Sequence, residues 1–131
     1  MKPVVVPIAA LTLSALAAAL PAGQGDPLVE VARAATLTDA QAEGLGLYES
    51  NCSGCHGAAG AGRIGVGPPL VHSVYRRSSV SDFSFQIAMK RGAEARQWRF
   101  GDMPAQPDLS ESQMAAVIAY VRAVQKANGI D

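Results

Sequence analysis

Cys52-Ser53-Gly54-Cys55-His56 constrains this chain more than any other stretch. Two thiols three residues apart, with an imidazole directly behind the second, are the sequence form of a covalently attached haem. On one turn of helix the two cysteines face the same way. Both sulfurs then reach one flat molecule through its two vinyl groups, and His56 offers a ring nitrogen to the iron. Three plainer readings are weaker. A structural zinc takes four ligands, and the chain has no third cysteine and one further histidine, His72. A thioredoxin-type redox pair needs a preceding strand in a βαβ setting, whereas the residues before Cys52 read as helix. A structural disulfide across so short a loop gains little from closure.

At 131 residues the chain has room for one domain. Residues 1–22 read as a secretory signal: Met1-Lys2 is a short basic start, Val4 to Leu20 is apolar apart from Pro7, Thr12 and Ser14, and Pro21-Ala22-Gly23 is small. The alternative is an uncleaved anchor, because such a run approaches the lower edge of a membrane span. Candidate processing sites follow Ala22 and Ala34. Export suits the cysteines, since haem is joined to protein outside the reducing cytosol in bacteria; the compartment implied is the periplasm or the outer membrane face. Residues 23–37 mix glycine, proline and charge without a period and read as a spacer. The domain is expected over 38–131, about 90 residues, so a haem would form a large share of its core and the chain without it would be poorly folded.

Within that domain Thr38-Asp39-Ala40-Gln41 is a capping box. It opens a helix to about Ser50 in which Gly44 and Tyr48 share a face, glycine permitting a close crossing and tyrosine filling the space beside it. Ser110-Glu111-Ser112-Gln113 is a second box, followed by Met114, Val117, Ile118, Val121 and Val124 at helical spacing and by Gly129 as a stop. Tyr120 lies among these residues, placed to meet the Gly44 face. A middle helix is expected from Ser81 or Asp82 to Arg91, and a shorter one around Leu70 to Arg76. No alternating run suggests a strand, so the fold is expected to be all-α.

The candidates for the iron's other face are His72, Met89, Met103 and Met114. Met89 and Met114 fall at apolar helical positions, where methionine usually packs. Met103 lies in the proline-rich loop Phe100-Gly101-Asp102-Met103-Pro104-Ala105-Gln106-Pro107, where it has little structural reason to be. Met103 is therefore the expected ligand, with His72 or an open site as alternatives. A neutral thioether favours ferrous iron and raises the reduction potential relative to a second imidazole.

With these residues in place, the chain from about Thr38 to Asn128 resembles the monohaem class I cytochromes c. Cys52 to His56 matches that family's haem motif. Gly65-Val66-Gly67-Pro68-Pro69-Leu70 is similar to its Gly-x-Gly-Pro-x-Leu segment, which implies that the Pro68 carbonyl accepts a proton from the far nitrogen of His56, fixing the ring and strengthening it as a ligand, and that Leu70 borders the haem. Gly44, Tyr48 and Tyr120 match the contact between first and last helices, and Gly101 to Pro104 resembles the methionine-ligand loop. Trp98 resembles a tryptophan that in some bacterial members gives its indole N–H to a haem propionate, a core aromatic being the alternative. The approach through Arg63-Ile64 and the basic residues that follow depart from the pattern.

The resemblance implies one covalent haem c, four to five short helices around it, and electron transfer between redox protein partners: a periplasmic dehydrogenase as donor and another cytochrome or a terminal oxidase as acceptor. Two alternatives are a cytochrome subunit of a dehydrogenase, and a haem enzyme or gas sensor with an open sixth site in which His72 is the only obvious acid-base group. Acidic and basic residues balance at 11 each, and nucleic acid is not an expected partner. Between Arg63 and Arg99 seven cations stand against Asp82 and Glu94. That stretch reads either as a solvated face, with one or two arginines reserved for propionates, or as a rim that steers an acidic partner.

Overall fold

The computed structural model of the protein describes Gly23 and residues 25–131. The segment read as a signal, residues 1–22, lies outside the described residues. Helix α1 (Asp39–Asn51) starts where the sequence places its cap. The Thr38 hydroxyl accepts from the Gln41 amide at 3.3 Å, and the Gln41 side chain accepts from the Thr38 amide at 2.9 Å. A one-turn helix, α2 (Ser53–His56), follows directly. The third helix, α3 (Asp82–Arg91), is capped by Ser81 and stopped by Gly92 in the left-handed region. The last, α4 (Glu111–Ala127), opens on a second capping box, with Ser110 and Gln113 bonded reciprocally at 3.2 and 2.9 Å. Each box satisfies amides that the first turn of a helix leaves unpaired.

The most extensive contact between helices is that of α1 with α4. Gly44 makes it possible: a Cβ at this position would overlap the Ala116 carbonyl oxygen, so the helices approach to backbone contact only because the side chain is absent. Beside the crossing the rings of Tyr48 and Tyr120 lie 5.3 Å apart, tilted at 54°, within the separation at which aromatic pairs attract. Tyr48 has no exposed surface, and its hydroxyl donates to the Gly57 carbonyl at 2.8 Å. The helix crossing is thereby tied to the residue immediately after His56.

The short helix expected around Leu70 to Arg76 is instead a single 3₁₀ turn over Ser73–Tyr75, capped by His72. A carbonyl ahead of that turn and the one at its last residue are bonded to α4 instead. Gln125 of α4, only 1 % exposed, donates to the Leu70 carbonyl at 2.8 Å, and Arg122 donates to the Tyr75 carbonyl at 2.7 Å. Tertiary partners replace the intrahelical ladder. Among the described residues there is no strand, only two isolated bridges, Arg63 with Gly67 and Ala93 with Met103.

Arg122 also donates to Asp82 Oδ1 at 2.8 Å, to Gln125 at 2.7 Å and to the Val80 carbonyl, with its guanidinium carbon 4.7 Å from the Phe85 ring centre. Its planar fork suits a site with several acceptors. It clasps the start of α3 and the preceding loop to α4. Residues 25–37, read from the sequence as a spacer, run against the helical body: the Leu28 and Val29 amides donate to the Ala61 carbonyl, both at 3.1 Å, and Val31 and Leu37 pack on the core.

Candidate haem site

The register of α1 into α2 presents the two cysteines together. The Cys52 amide donates to the Tyr48 carbonyl at 2.8 Å, and the Cys55 and His56 amides return to the Cys52 carbonyl at 3.1 and 2.8 Å. Both thiols are free, Cys52 buried and Cys55 exposed. Burial, followed by the neighbouring Cys55, pushes the Cys52 thiol up to about 11. A redox pair of thioredoxin type works the other way, by depressing the thiol to expose a thiolate.

His56 is 9 % exposed. Its Nδ1 lies 2.9 Å from the Pro68 carbonyl oxygen. A carbonyl only accepts, so the hydrogen sits on Nδ1, and Nε2 keeps its lone pair. Burial pushes the imidazole below its ordinary value against the opposing pull of the carbonyl, leaving it the neutral ring that a metal requires. The loop that brings Pro68 back passes so close to α2 that a Cβ on Gly67 would stand 2.5 Å from the Cys55 carbonyl oxygen. On the way it gives the Gly62 amide to the His56 carbonyl at 2.6 Å.

Met103 is held by its backbone. Its amide donates to the Ala93 carbonyl at 2.8 Å and its carbonyl accepts from the Ala93 amide at 3.0 Å. Gly92 lets this bridge close, since a Cβ there would press on the Met103 carbonyl oxygen. Within the loop so formed, the Asp102 carboxylate accepts from the Ala95 amide at 2.8 Å. The chain beyond is anchored where the Gln106 amide donates to the Met89 carbonyl at 2.6 Å.

These elements enclose a cavity of about 600 Å³, lined by all seven residues singled out from the sequence: Cys52, Cys55, His56, Pro68, Leu70, Trp98 and Met103. Ligand pockets typically occupy about 300–1,000 Å³. Met89 also lines the cavity, whereas His72 and Met114 do not. His72 serves instead as a cap, its Nδ1 accepting from the Val74 amide at 3.3 Å, and its ring meets Trp98 edge-on at 5.3 Å. The indole N–H of Trp98 donates to the Tyr75 hydroxyl at 2.9 Å. Of the seven cations between Arg63 and Arg99, Arg96 alone lines the cavity, with Glu94 and Asp102 beside it.

Paired thiols, a neutral imidazole with one free nitrogen, thioethers and apolar walls make a donor set that fits a covalently held haem. A second, open groove of about 650 Å³ between α3 and α4 has no cysteine, histidine or methionine in its lining. Sequence reasoning did not single out Tyr75, which lines the cavity, or Arg122 and Gln125, which hold the loop bearing it.

The cytochrome c family model matches residues 41–125. The chain belongs to the cytochrome c family, whose members bind haem c covalently and transfer electrons through it. It is 30 % identical over 83 residues to the Cbb3-type cytochrome c oxidase subunit CcoP of Rhodobacter capsulatus, and 29 % identical over 83 residues to the same subunit from a named strain of that species. Each match covers 62 % of this chain and 28 % of the relative, so the chain spans under a third of the length of these relatives.

Proposed function

We propose that the protein is an electron carrier with one haem c, joined through Cys52 and Cys55 and ligated axially by His56 and Met103, which passes single electrons between extracytoplasmic redox proteins. The carrying observation is that the Nδ1 hydrogen of His56 is committed to Pro68 while His56 and Met103 both line one mostly apolar cavity. When bound, the haem supplies a one-electron couple at its iron. His56 is held in one tautomer and made more basic by Pro68. Leu70 bounds the cavity and excludes water. Trp98 bounds it too and shares its hydrogen with Tyr75, whose own hydroxyl hydrogen stays available to a carboxylate. With His56 and Met103 both given to the iron, the metal would have no place left for a substrate, and the protein would work as a carrier rather than an enzyme.

The test is spectroscopic. Oxidised and reduced protein should show six-coordinate His/Met signatures that ignore carbon monoxide, while Met103→Ala should admit carbon monoxide and lower the potential. Carbon monoxide binding to the unaltered protein would refute the reading in favour of an open-site enzyme or sensor. The likeness to CcoP, an oxidase subunit, favours one second reading, that this domain delivers electrons as part of an oxidase; copurification with oxidase activity distinguishes it from a free carrier. In either role the protein acts outside the cytoplasm, in the periplasm, after export through the signal at 1–22. Among the described residues no helix is long and apolar enough to cross a membrane.

A further inference from the structure

Residues 25–32 are hydrogen-bonded to the body of the protein at two places. At one end they meet the loop that follows His56. The Gly25 amide donates to the Ile64 carbonyl and the Ile64 amide to the Asp26 carbonyl, both at 2.8 Å, and the Leu28 and Val29 amides share the Ala61 carbonyl. At the other end Ala32 is gripped by Asn128, the cap of α4: the Ala32 amide donates to Asn128 Oδ1 at 2.9 Å, and Asn128 Nδ2 donates to the Ala32 carbonyl at 2.7 Å. The loop so pinned makes both polar contacts to His56 described above, through Gly62 and Pro68. Arg63 closes the circuit. Its Nε donates to the Gly25 carbonyl at 3.3 Å and its Nη1 to the Gly54 carbonyl at 2.5 Å, joining the N-terminal segment to the turn between the two cysteines. Arg63 and Gly67 then pair through their backbones at 2.9 and 3.1 Å, which sets the residue next to Pro68.

We propose that residues 25–32 are a positioning strap for the haem histidine, with Arg63 and Asn128 as its two fastenings, holding the Pro68 carbonyl on Nδ1 of His56. The proposal rests on the reading of His56 as the haem ligand. A histidine whose second nitrogen is firmly bonded to a carbonyl is a more basic ligand, and a more basic ligand favours ferric iron. Loosening the strap therefore raises the midpoint potential. Simple fraying acts in the opposite direction, because water admitted to the haem stabilises the ferric charge.

The experiment uses the full-length holoprotein with Arg63→Ala, Asn128→Ala, and a third variant carrying a protease site at residues 34–36, cut after folding. Ser110→Ala, which removes the N-terminal cap of α4 at the end opposite Asn128 and touches neither strap nor loop, is the control. Exchange of the His56 ring N–H is followed by NMR in the reduced protein, and the potential by spectroelectrochemistry. At least tenfold faster exchange with a raised potential is expected in all three variants and not in the control. Unchanged exchange, or a lowered potential, in protein that carries haem overturns the strap while leaving the carrier reading intact. Full-length protein with no covalent haem by mass overturns both.

Discussion

The Trp98 indole nitrogen lies 2.9 Å from the Tyr75 hydroxyl, across 23 positions of sequence, and joins the loop that bears Met103 to the 3₁₀ turn. Burial raises the Tyr75 phenol above its ordinary value, and the Trp98 bond pulls the other way. Trp98→Phe removes the donor and Tyr75→Phe strands the indole N–H, which is the dearer loss. We expect about 1 kcal/mol of destabilisation for Trp98→Phe, about 2 kcal/mol for Tyr75→Phe, and a double variant about 1 kcal/mol more stable than the sum, as partners in one bond require. Denaturant midpoints of the four proteins check this.

Gly44→Ala is expected to cost about 3 kcal/mol, at the upper end of overpacking penalties, because the new methyl group meets the Ala116 backbone, which cannot rotate away. Thermal melting of the haem-loaded protein measures it. A change at Gly46, where a Cβ meets nothing within 4 Å, should cost far less and act as the control.

The Arg122–Asp82 pair carries a pH signature. Burial alone would raise the Asp82 carboxyl, but hydrogen bonds from Arg122 and then Arg77 outweigh it and hold the group below the usual carboxylate value. A depressed folded value contributes stability above the unfolded pKa of about 3.9 and loses it as pH falls through the folded value. Asp82→Asn should therefore destabilise near neutrality, with the difference beginning to shrink as pH falls toward about 4 and closing only as pH passes through the depressed folded value. Because the Asp82 side chain is 43 % exposed, its loss should cost about 1 kcal/mol or less. Arg122→Ala, leaving buried acceptors without a donor, should cost about 3 kcal/mol. Urea titrations across pH settle both.

Electron exchange with a partner should respond only weakly to salt. Several of the cations counted along the sequence are neutralised on the spot: Arg77 by Asp82 at 2.6 Å, Lys90 by Glu111 at 3.0 Å and Arg96 by Glu94 at 3.1 Å. Charges around the cavity nearly cancel, so steering over a Debye length of about 8 Å has little to act on. We expect stopped-flow rates to change less than about threefold between low and physiological ionic strength; a steep fall would restore the basic-rim reading.

Processing after Ala22 rather than Ala34 is expected, because the later cut discards Gly25, Asp26, Leu28, Val29 and Ala32 together with their bonds to the loop and to Asn128. N-terminal sequencing of the mature protein decides between the two.

What the sequence disclosed was what depends on neighbours in the chain. The caps at Thr38 and Ser110, the stop at Gly92 and the apolar stripe of α4 are local patterns, and they placed three helices to within a residue or so. Gly44 and Tyr48 were legible because helical spacing puts them on one face. The one-turn segment at Ser73 was misjudged because its carbonyls are bonded by Gln125 and Arg122, about 50 residues away. Arg122 went unmarked because its partners are distant in sequence, and residues 25–37 looked like a spacer because segments bonded mainly through backbone need no side-chain period. Tyr75 had no neighbour in sequence to mark it. All seven residues proposed for the site line one cavity, since their types are set by what they could offer a metal or a flat ring rather than by the fold around them.

The bridge between Ala93 and Met103 has a consequence for how such a protein can diversify. Two backbone bonds fix the methionine at the base of the loop, so the residues between, 94–102, form the outer arc and are mostly exposed. At the exposed positions that bond to nothing else, such as Gln97 and Arg99, composition can change while the two bonds at the base stay in place. On the proposed ligation, the base of the loop would set the potential while the exposed positions of the arc are free to vary, so a lineage or a designer could exchange the second while keeping the first.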